Sequence, residues 1–243
     1  MTQRYGSGGR LGVIDLSTCT SLIPEFTMAM PNDVSVLFSR LRLPDGVVSV
    51  DSLHAMVSGP RFEEAAAELA DAGVGVIAFA CTSASLLLGP GFDRELSSRL
   101  QAATGVPATT TATAVLEALL HLGARRISVG TPYDAEITER ERAFLEAAGF
   151  EVRAIEGLGL QRDRDIGALA FDDVSRLARR VHRADSDAVF LSCTNLPALP
   201  ILGALEAELG CPVLSSNAAT IWHALRLLGT SARATGLGTL LAE

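Results

Sequence analysis

Two cysteines, Cys81 and Cys193, stand 112 residues apart, each followed by a threonine and each closing a short apolar run, Val76–Ala80 in one case and Val189–Ser192 in the other. A cysteine thiolate is a nucleophile and a base, and the matching thiol is a proton donor. Two such groups aimed at one molecule could divide the work in two ways. One sulfur could add to a carbon while the other protonates its neighbour, or one could remove an α-proton while the other returns it to the opposite face. A single cysteine at a strand end reads as a small buried apolar residue. Two in matched surroundings point to shared chemistry.

Other chemistries are harder to build from this chain. All 20 of its basic residues are arginine. Without lysine there is no Schiff-base anchor for pyridoxal phosphate and no standard P-loop. The four cysteines (Cys19, Cys81, Cys193, Cys211) include no C-x-x-C pair, and the four histidines (His54, His121, His182, His223) lack ligand spacing. No metal site and no cofactor are therefore expected, and the thiols are expected to be free. A net charge of −8 without a basic stripe argues against a nucleic-acid partner. No apolar run reaches the roughly 18–20 residues of a membrane span. The polar, glycine-rich residues 1–10 read as a loose tail rather than a signal segment, so a cytoplasmic protein is expected.

The elements that must position the cysteines follow from hydrophobic patterning. Short apolar runs predict strands over Gly12–Leu16, Val47–Val50, Val74–Ala80 and Val106–Thr110. A second series covers Arg126–Gly130, Glu151–Ile155, Ala188–Ser192 and Pro212–Ser215. Helical spacing predicts helices over Pro60–Ala72, Ala112–Leu122, Glu136–Ala148, Asp172–Arg183, Pro200–Leu209 and Ala218–Leu228. Arg10–Asp15 matches Arg125–Gly130, Val76–Ser83 matches Val189–Asn195 with one gap, and Gly105–Thr110 matches Gly210–Ser215. This duplication predicts an α/β protein of two doubly wound, flavodoxin-like parallel-sheet domains. They are related by a pseudo-twofold axis and meet across a cleft that holds the active site. The first is expected to comprise residues 1–112 with 218–243, and the second residues 113–217. Helices crossing between the halves should tie them together.

Ligands bind at the carboxyl ends of parallel strands, which places Cys81 with Thr82 and Ser83 on one wall and Cys193 with Thr194 and Asn195 on the other. A helix start behind each sulfur would favour thiolate. Cys19, in Ser17-Thr18-Cys19-Thr20, faces the expected cleft as a binding-loop residue or an inert one. Tyr133 mirrors that loop in the second half and could reach a substrate or cap a surface turn. Cys211 reads as core, His121 and His182 as solvent-facing, and Gln161–Asp165 as a solvated loop.

These residues resemble the aspartate/glutamate racemase superfamily, most closely its maleate cis–trans isomerases. The likeness rests on Ala80-Cys81-Thr82-Ser83-Ala84-Ser85, Ser192-Cys193-Thr194-Asn195-Leu196, Thr131-Pro132-Tyr133 and the duplicated layout. Glutamate racemases typically carry Cys-Asn-Thr at the first site, and arylmalonate decarboxylases keep only the second cysteine. Cys81-Thr82-Ser83 departs from both. The resemblance implies a cofactor-independent isomerase of a small unsaturated dicarboxylic acid, with Cys81 as nucleophile and Cys193 as proton donor. The substrate would be held by Ser17, Cys19, Thr82, Ser83, Tyr133, Asp163, Thr194 and Asn195. A homodimer is expected by analogy. In the isomerases a carboxylate-binding Asn occupies the position of Cys19 here, and a second falls near Asp163; both substitutions point toward a related acid rather than maleate itself. A two-cysteine amino-acid or hydantoin racemase is the competing enzyme reading, and a non-catalytic binder of small acids is the competing class.

Overall fold

The computed structural model describes residues 5–232 and 234–242. The first half runs β1 (Gly9–Leu16), α1 (Leu22–Ala29), β2 (Val34–Leu41), α2 (Val50–Ser58), α3 (Arg61–Asp71), β3 (Val76–Phe79), α4 (Thr82–Leu86), α5 (Phe92–Thr104), β4 (Ala108–Thr110) and α6 (Thr111–His121). The second half runs β5 (Arg126–Thr131), α7 (Ala135–Ala147), β6 (Glu151–Gly157), α8 (Asp163–Gly167), α9 (Phe171–Val181), β7 (Ala188–Leu191), α10 (Leu202–Leu209), β8 (Val213–Ser215) and α11 (Ser216–Leu227); α12 (Thr239–Ala242) follows. No helix among the described residues is long and apolar enough to cross a membrane.

Each half builds a four-stranded parallel sheet, ordered β2-β1-β3-β4 in one and β6-β5-β7-β8 in the other. The duplication extends to single bonds. Ala80 N–H donates to Ile14 O at 2.9 Å and Ser192 N–H to Gly130 O at 2.8 Å, so the residue before each cysteine is held by the same ladder bond. The far edges match too, with Ile77 N–H to Pro107 O and Val189 N–H to Pro212 O, both at 2.9 Å. Central strands β3 and β7 are buried along their whole length, as their unbroken apolar runs require when helices cover both faces. Thr110 and Ser215 cap α6 and α11, accepting from Thr113 N and Ala218 N. These two helices pack on each other, and α11 also packs on β3 and α1 of the first half.

Val47–Val50 is not a strand. Pro44–Gly46 forms a turn, and Ser49 caps α2 by accepting from Ser52 N at 3.3 Å, so the β-branched run is spent on a loop and a helix start. The edge strand is β2, whose mixed run Val34-Ser-Val-Leu-Phe-Ser-Arg-Leu pairs along all of β1. Val47 keeps a single bridge to Arg162 in the other half. Helices α1, α2, α5, α8 and α12 also escape the sequence reading, while α4 is the helix start expected behind Cys81. In α5 the buried apolar residues Phe92, Leu96 and Leu100 recur only every fourth position amid charges. Of the expected tail, residues 1–4 lie outside the described residues, and from Gly9 the chain is already in β1.

Candidate active site

The carboxyl ends of the two sheets face each other, and both cysteines lie there. Cys81 is 3 % exposed and Cys193 5 %. Both sulfurs lie in low-dielectric surroundings, and charge on Cys81 adds to the forces that resist ionisation of Cys193. Thr194 Oγ1 reaches across to Ala80 O at 3.3 Å. Ser216, the first residue of α11, joins the two loops through one hydroxyl: it accepts from Thr82 Oγ1 at 2.8 Å and from Cys193 N–H at 2.9 Å.

The backbone differs at the two sulfurs. Cys81 caps α4 in an extended conformation, and its sulfur lies near Ala84 N–H and 3.8 Å from Ser83 Oγ. Cys193 has φ +97°, a conformation costing on the order of 1–3 kcal/mol for a side-chain-bearing residue. No helix starts behind it. A turn runs through Thr194 and Asn195, and Asn195 N–H points back at Cys193 Sγ at 3.4 Å. The Tyr133 hydroxyl also faces this sulfur, from a ring that is 1 % exposed.

A helix start was expected to favour thiolate at both positions, and burial reverses that outcome. Desolvation pushes the Cys81 thiol up to about 12, outweighing Ala84 N–H and Ser83. Burial, followed by the charge of Asp163, raises Cys193 further still, against the help of Tyr133 and Asn195 N–H. Both groups rest as thiols.

Around the sulfurs the remaining candidates separate. Cys19 lies in the site, its sulfur 3.7 Å from Thr194 O, and burial and then Asp15 hold it protonated. Asp163 is not part of a solvated loop: it is 2 % exposed, and Oδ2 accepts from Thr18 Oγ1 at 2.6 Å. Asn195 spends its side chain on the frame. Oδ1 accepts from Thr20 N–H at 2.8 Å, and Nδ2 donates to Asp163 O at 2.7 Å. Gly167 is needed at this junction, because a Cβ there would sit 2.7 Å from Asn195 Oδ1 and 2.4 Å from Thr20 Oγ1. Ser17 is exposed, its hydroxyl accepting from Leu43 N–H at 3.4 Å.

Four further polar residues shape the site and were missed. Asp15, near the end of β1, is fully buried beside Cys19. Glu25 holds the loop after β7, accepting from Ala198 N–H, Leu199 N–H and Asn217 Nδ2. Glu141, on α7, is fully buried, and burial pushes it up to about 7, with only the Ser192 and Thr131 hydroxyls to ease its charge. Ser216 is the fourth. An acid within an apolar strand at Asp15, and hydroxyls directly after the last strand of each half, were the available signals. Among the described residues no group of His, Cys, Asp and Glu could hold a metal ion.

Comparison with known proteins agrees with this architecture. The arylmalonate decarboxylase family model matches residues 22–241. The arylmalonate decarboxylase of Bordetella bronchiseptica is 33% identical over 228 residues, covering 91% of this chain and 92% of that one. The maleate isomerase of Nocardia farcinica is 30% identical over 238 residues, covering 91% and 94%. A solved structure of the Nocardia farcinica maleate cis–trans isomerase, a cysteine-to-serine mutant with a covalently bound succinylcysteine intermediate, superposes with a TM-score of 0.90 at 28% identity, covering 96% and 98%. By sequence and by fold, the chain belongs to the arylmalonate decarboxylase family, within the superfamily of two-domain racemase-like proteins that includes the maleate isomerases.

Proposed function

We propose that this protein is a cofactor-independent cis–trans isomerase of a small unsaturated dicarboxylic acid, of the maleate-to-fumarate type. The observation that carries the reading is the pair of buried, electrostatically coupled thiols that follow the central strands of two equivalent sheets. The related isomerase trapped with succinylcysteine supports a covalent path of this kind. Cys81 favours the isomerase over the decarboxylase reading, because it supplies a second sulfur where decarboxylation would need one.

In this reading the Cys81 proton passes to solvent water as substrate docks, and the thiolate adds to one alkene carbon. The π electrons move to the neighbouring carbon, which takes the Cys193 proton. The product is a saturated thioether whose central carbon–carbon bond is single and rotates freely. Cys193 thiolate then removes the same proton, the carbon–sulfur bond breaks, and the trans acid leaves; Cys193 is again a thiol, and the released Cys81 thiolate regains its proton from solvent. Thr82, Ser83, Tyr133 and Thr194 surround the reacting atoms, and the backbone N–H groups of Ala84 and Asn195 stabilise the two thiolates as each forms. Asn195 acts through its main chain while its side chain fixes the loop, and Cys19 and Asp163 border the substrate. The enzyme is assigned to the cytoplasm and to a homodimer, the latter to be read by sedimentation.

The test is incubation of the full chain with maleate, with NMR detection of fumarate and mass spectrometry of the peptide carrying Cys81. The expected result is fumarate together with an added maleic acid on Cys81 when Cys193 is replaced by serine. Absence of both would overturn the assignment. Deuterium exchange at Cα of recovered aspartate or glutamate, without isomerisation of maleate, would indicate a racemase.

A further inference from the structure

Asp15 has an arrangement that the chemistry above does not use. Its side chain is 0 % exposed; Oδ1 accepts from Leu16 N–H at 2.7 Å, while Oδ2 has no hydrogen-bond partner of normal geometry. The nearest cation, Arg40 on β2, stands 3.7 Å away, with its Nε and one Nη committed to Leu16 O and Cys19 O. Cys19 on the following loop, Asp163 on α8 of the opposite half and Cys81 at the end of β3 also face it. The oxygen without a hydrogen-bond partner thus lies 3.7 Å from Arg40 Nε, in a buried region electrostatically coupled to Asp163 of the other half and to Cys81.

That space poses a recognition problem. A buried carboxylate of the substrate needs donors, yet the chain has no lysine, and Arg40 has its Nε and one Nη committed to backbone carbonyls. Asn195, by side-chain type a natural amide donor, is spent on the frame. Two acids, Asp15 and Asp163, stand there instead. An ionised pair would repel a dicarboxylate, whereas a protonated acid would bind it, since a neutral carboxyl is a good O–H donor to a carboxylate.

We propose that Asp15 is a specificity-determining substrate-binding residue that works as a neutral acid, donating a proton from its free Oδ2 to a carboxylate of the bound diacid. The inference rests on the isomerase reading and deepens it. Burial, opposed by Leu16 N–H and Arg40, pushes Asp15 up from 3.8 to about 7, so it is largely neutral below pH 7 and must take up a proton to bind above it. The pocket thus selects its ligand by proton-coupled binding.

The experiment is titration calorimetry of the full chain with succinate, a saturated diacid that cannot react. It is run from pH 6 to 9 in buffers of different ionisation enthalpy. Expected for the natural protein is uptake approaching one proton per site above pH 7, with affinity falling about tenfold per pH unit. Asp15→Asn, which keeps a donor without a proton to lose, should abolish both effects and hold affinity within several-fold of the natural protein's value at pH 6. Asp163→Asn should keep the proton uptake. Succinate binding without proton uptake overturns the proposal. So does a slope that survives in Asp15→Asn, one lost only in Asp163→Asn, or a folded Asp15→Asn that binds no succinate at any pH. If succinate fails to bind while maleate still forms the Cys81 adduct, the inference falls alone; if neither occurs, the isomerase reading falls with it.

Discussion

The two halves share strand order, ladder bonds and helix caps, and then differ at the atoms where chemistry is proposed. In the first half the cysteine caps a helix with relaxed backbone, its sulfur near Ala84 N–H. In the second it sits at φ +97° on a turn, its sulfur near Asn195 N–H and the Tyr133 hydroxyl. A duplicated scaffold delivers two thiols to one place, while local divergence equips them for unlike roles. The first thiol, the less resistant to ionisation of the two, suits addition to carbon. The second, most resistant to ionisation and in contact with a phenol, suits holding and giving a proton.

The largest test of this asymmetry is removal of each sulfur. Cys81→Ser should abolish turnover and adduct formation alike. Cys193→Ser should lower turnover by roughly 10²–10⁴-fold, the usual share of a positioned proton donor, while still allowing the adduct. Equal loss of adduct in both variants would erase the division of labour. Next is alkylation by iodoacetamide. With Cys81 pushed up to about 12, its thiolate fraction near neutral pH is about a thousandfold below that of a free thiol. Its reaction rate should be correspondingly slow and climb about tenfold per pH unit without a plateau up to pH 10, with Cys193 slower still. A plateau near pH 7 would show a thiolate held ready at rest.

A smaller effect separates the first residues of the paired helices α6 and α11. Ser216→Ala strands both Cys193 N–H and Thr82 Oγ1, and should cost roughly 2–4 kcal/mol of stability in denaturant unfolding, together with activity. Its counterpart Thr111→Val loses contacts only to Phe79 O and Thr220, and should cost about 1 kcal/mol with activity nearly kept. Equal costs would mean that Ser216 is no more than an ordinary cap neighbour. The smallest concerns Glu141, whose buried carboxyl, unlike that of Glu25 on the matching helix α1 of the first half, accepts no backbone N–H. Its pKa is raised from 4.5 to about 7 by burial, so the stability it lends is full below pH 4.5 and lost as pH rises through 7. Glu141→Gln should therefore stabilise the protein by up to about 3 kcal/mol at pH 8 and leave it unchanged at pH 4, read as a shift in Tm.

The amino-acid sequence by itself determined the α/β class, the duplication and the placing of Cys81 and Cys193 on facing walls. Each is a local property: apolar runs at strand period, Gly and Pro at their ends, and a repeated Cys-Thr after the central strand. The edge strand β2 was misplaced because an edge is half exposed, and its polar residues mask the alternation that a loop such as Val47–Val50 can imitate. Only the tertiary structure decided the state of the sulfurs. Burial is a property of everything packed around a group, and here it overrode the helix-end field that sequence position implied. The same holds for Asp15, Glu25, Glu141 and Ser216, whose partners lie in distant segments, and for Asn195, whose amide became part of the frame. Recognition chemistry was hardest to read because it depends on which donors remain unspent after folding.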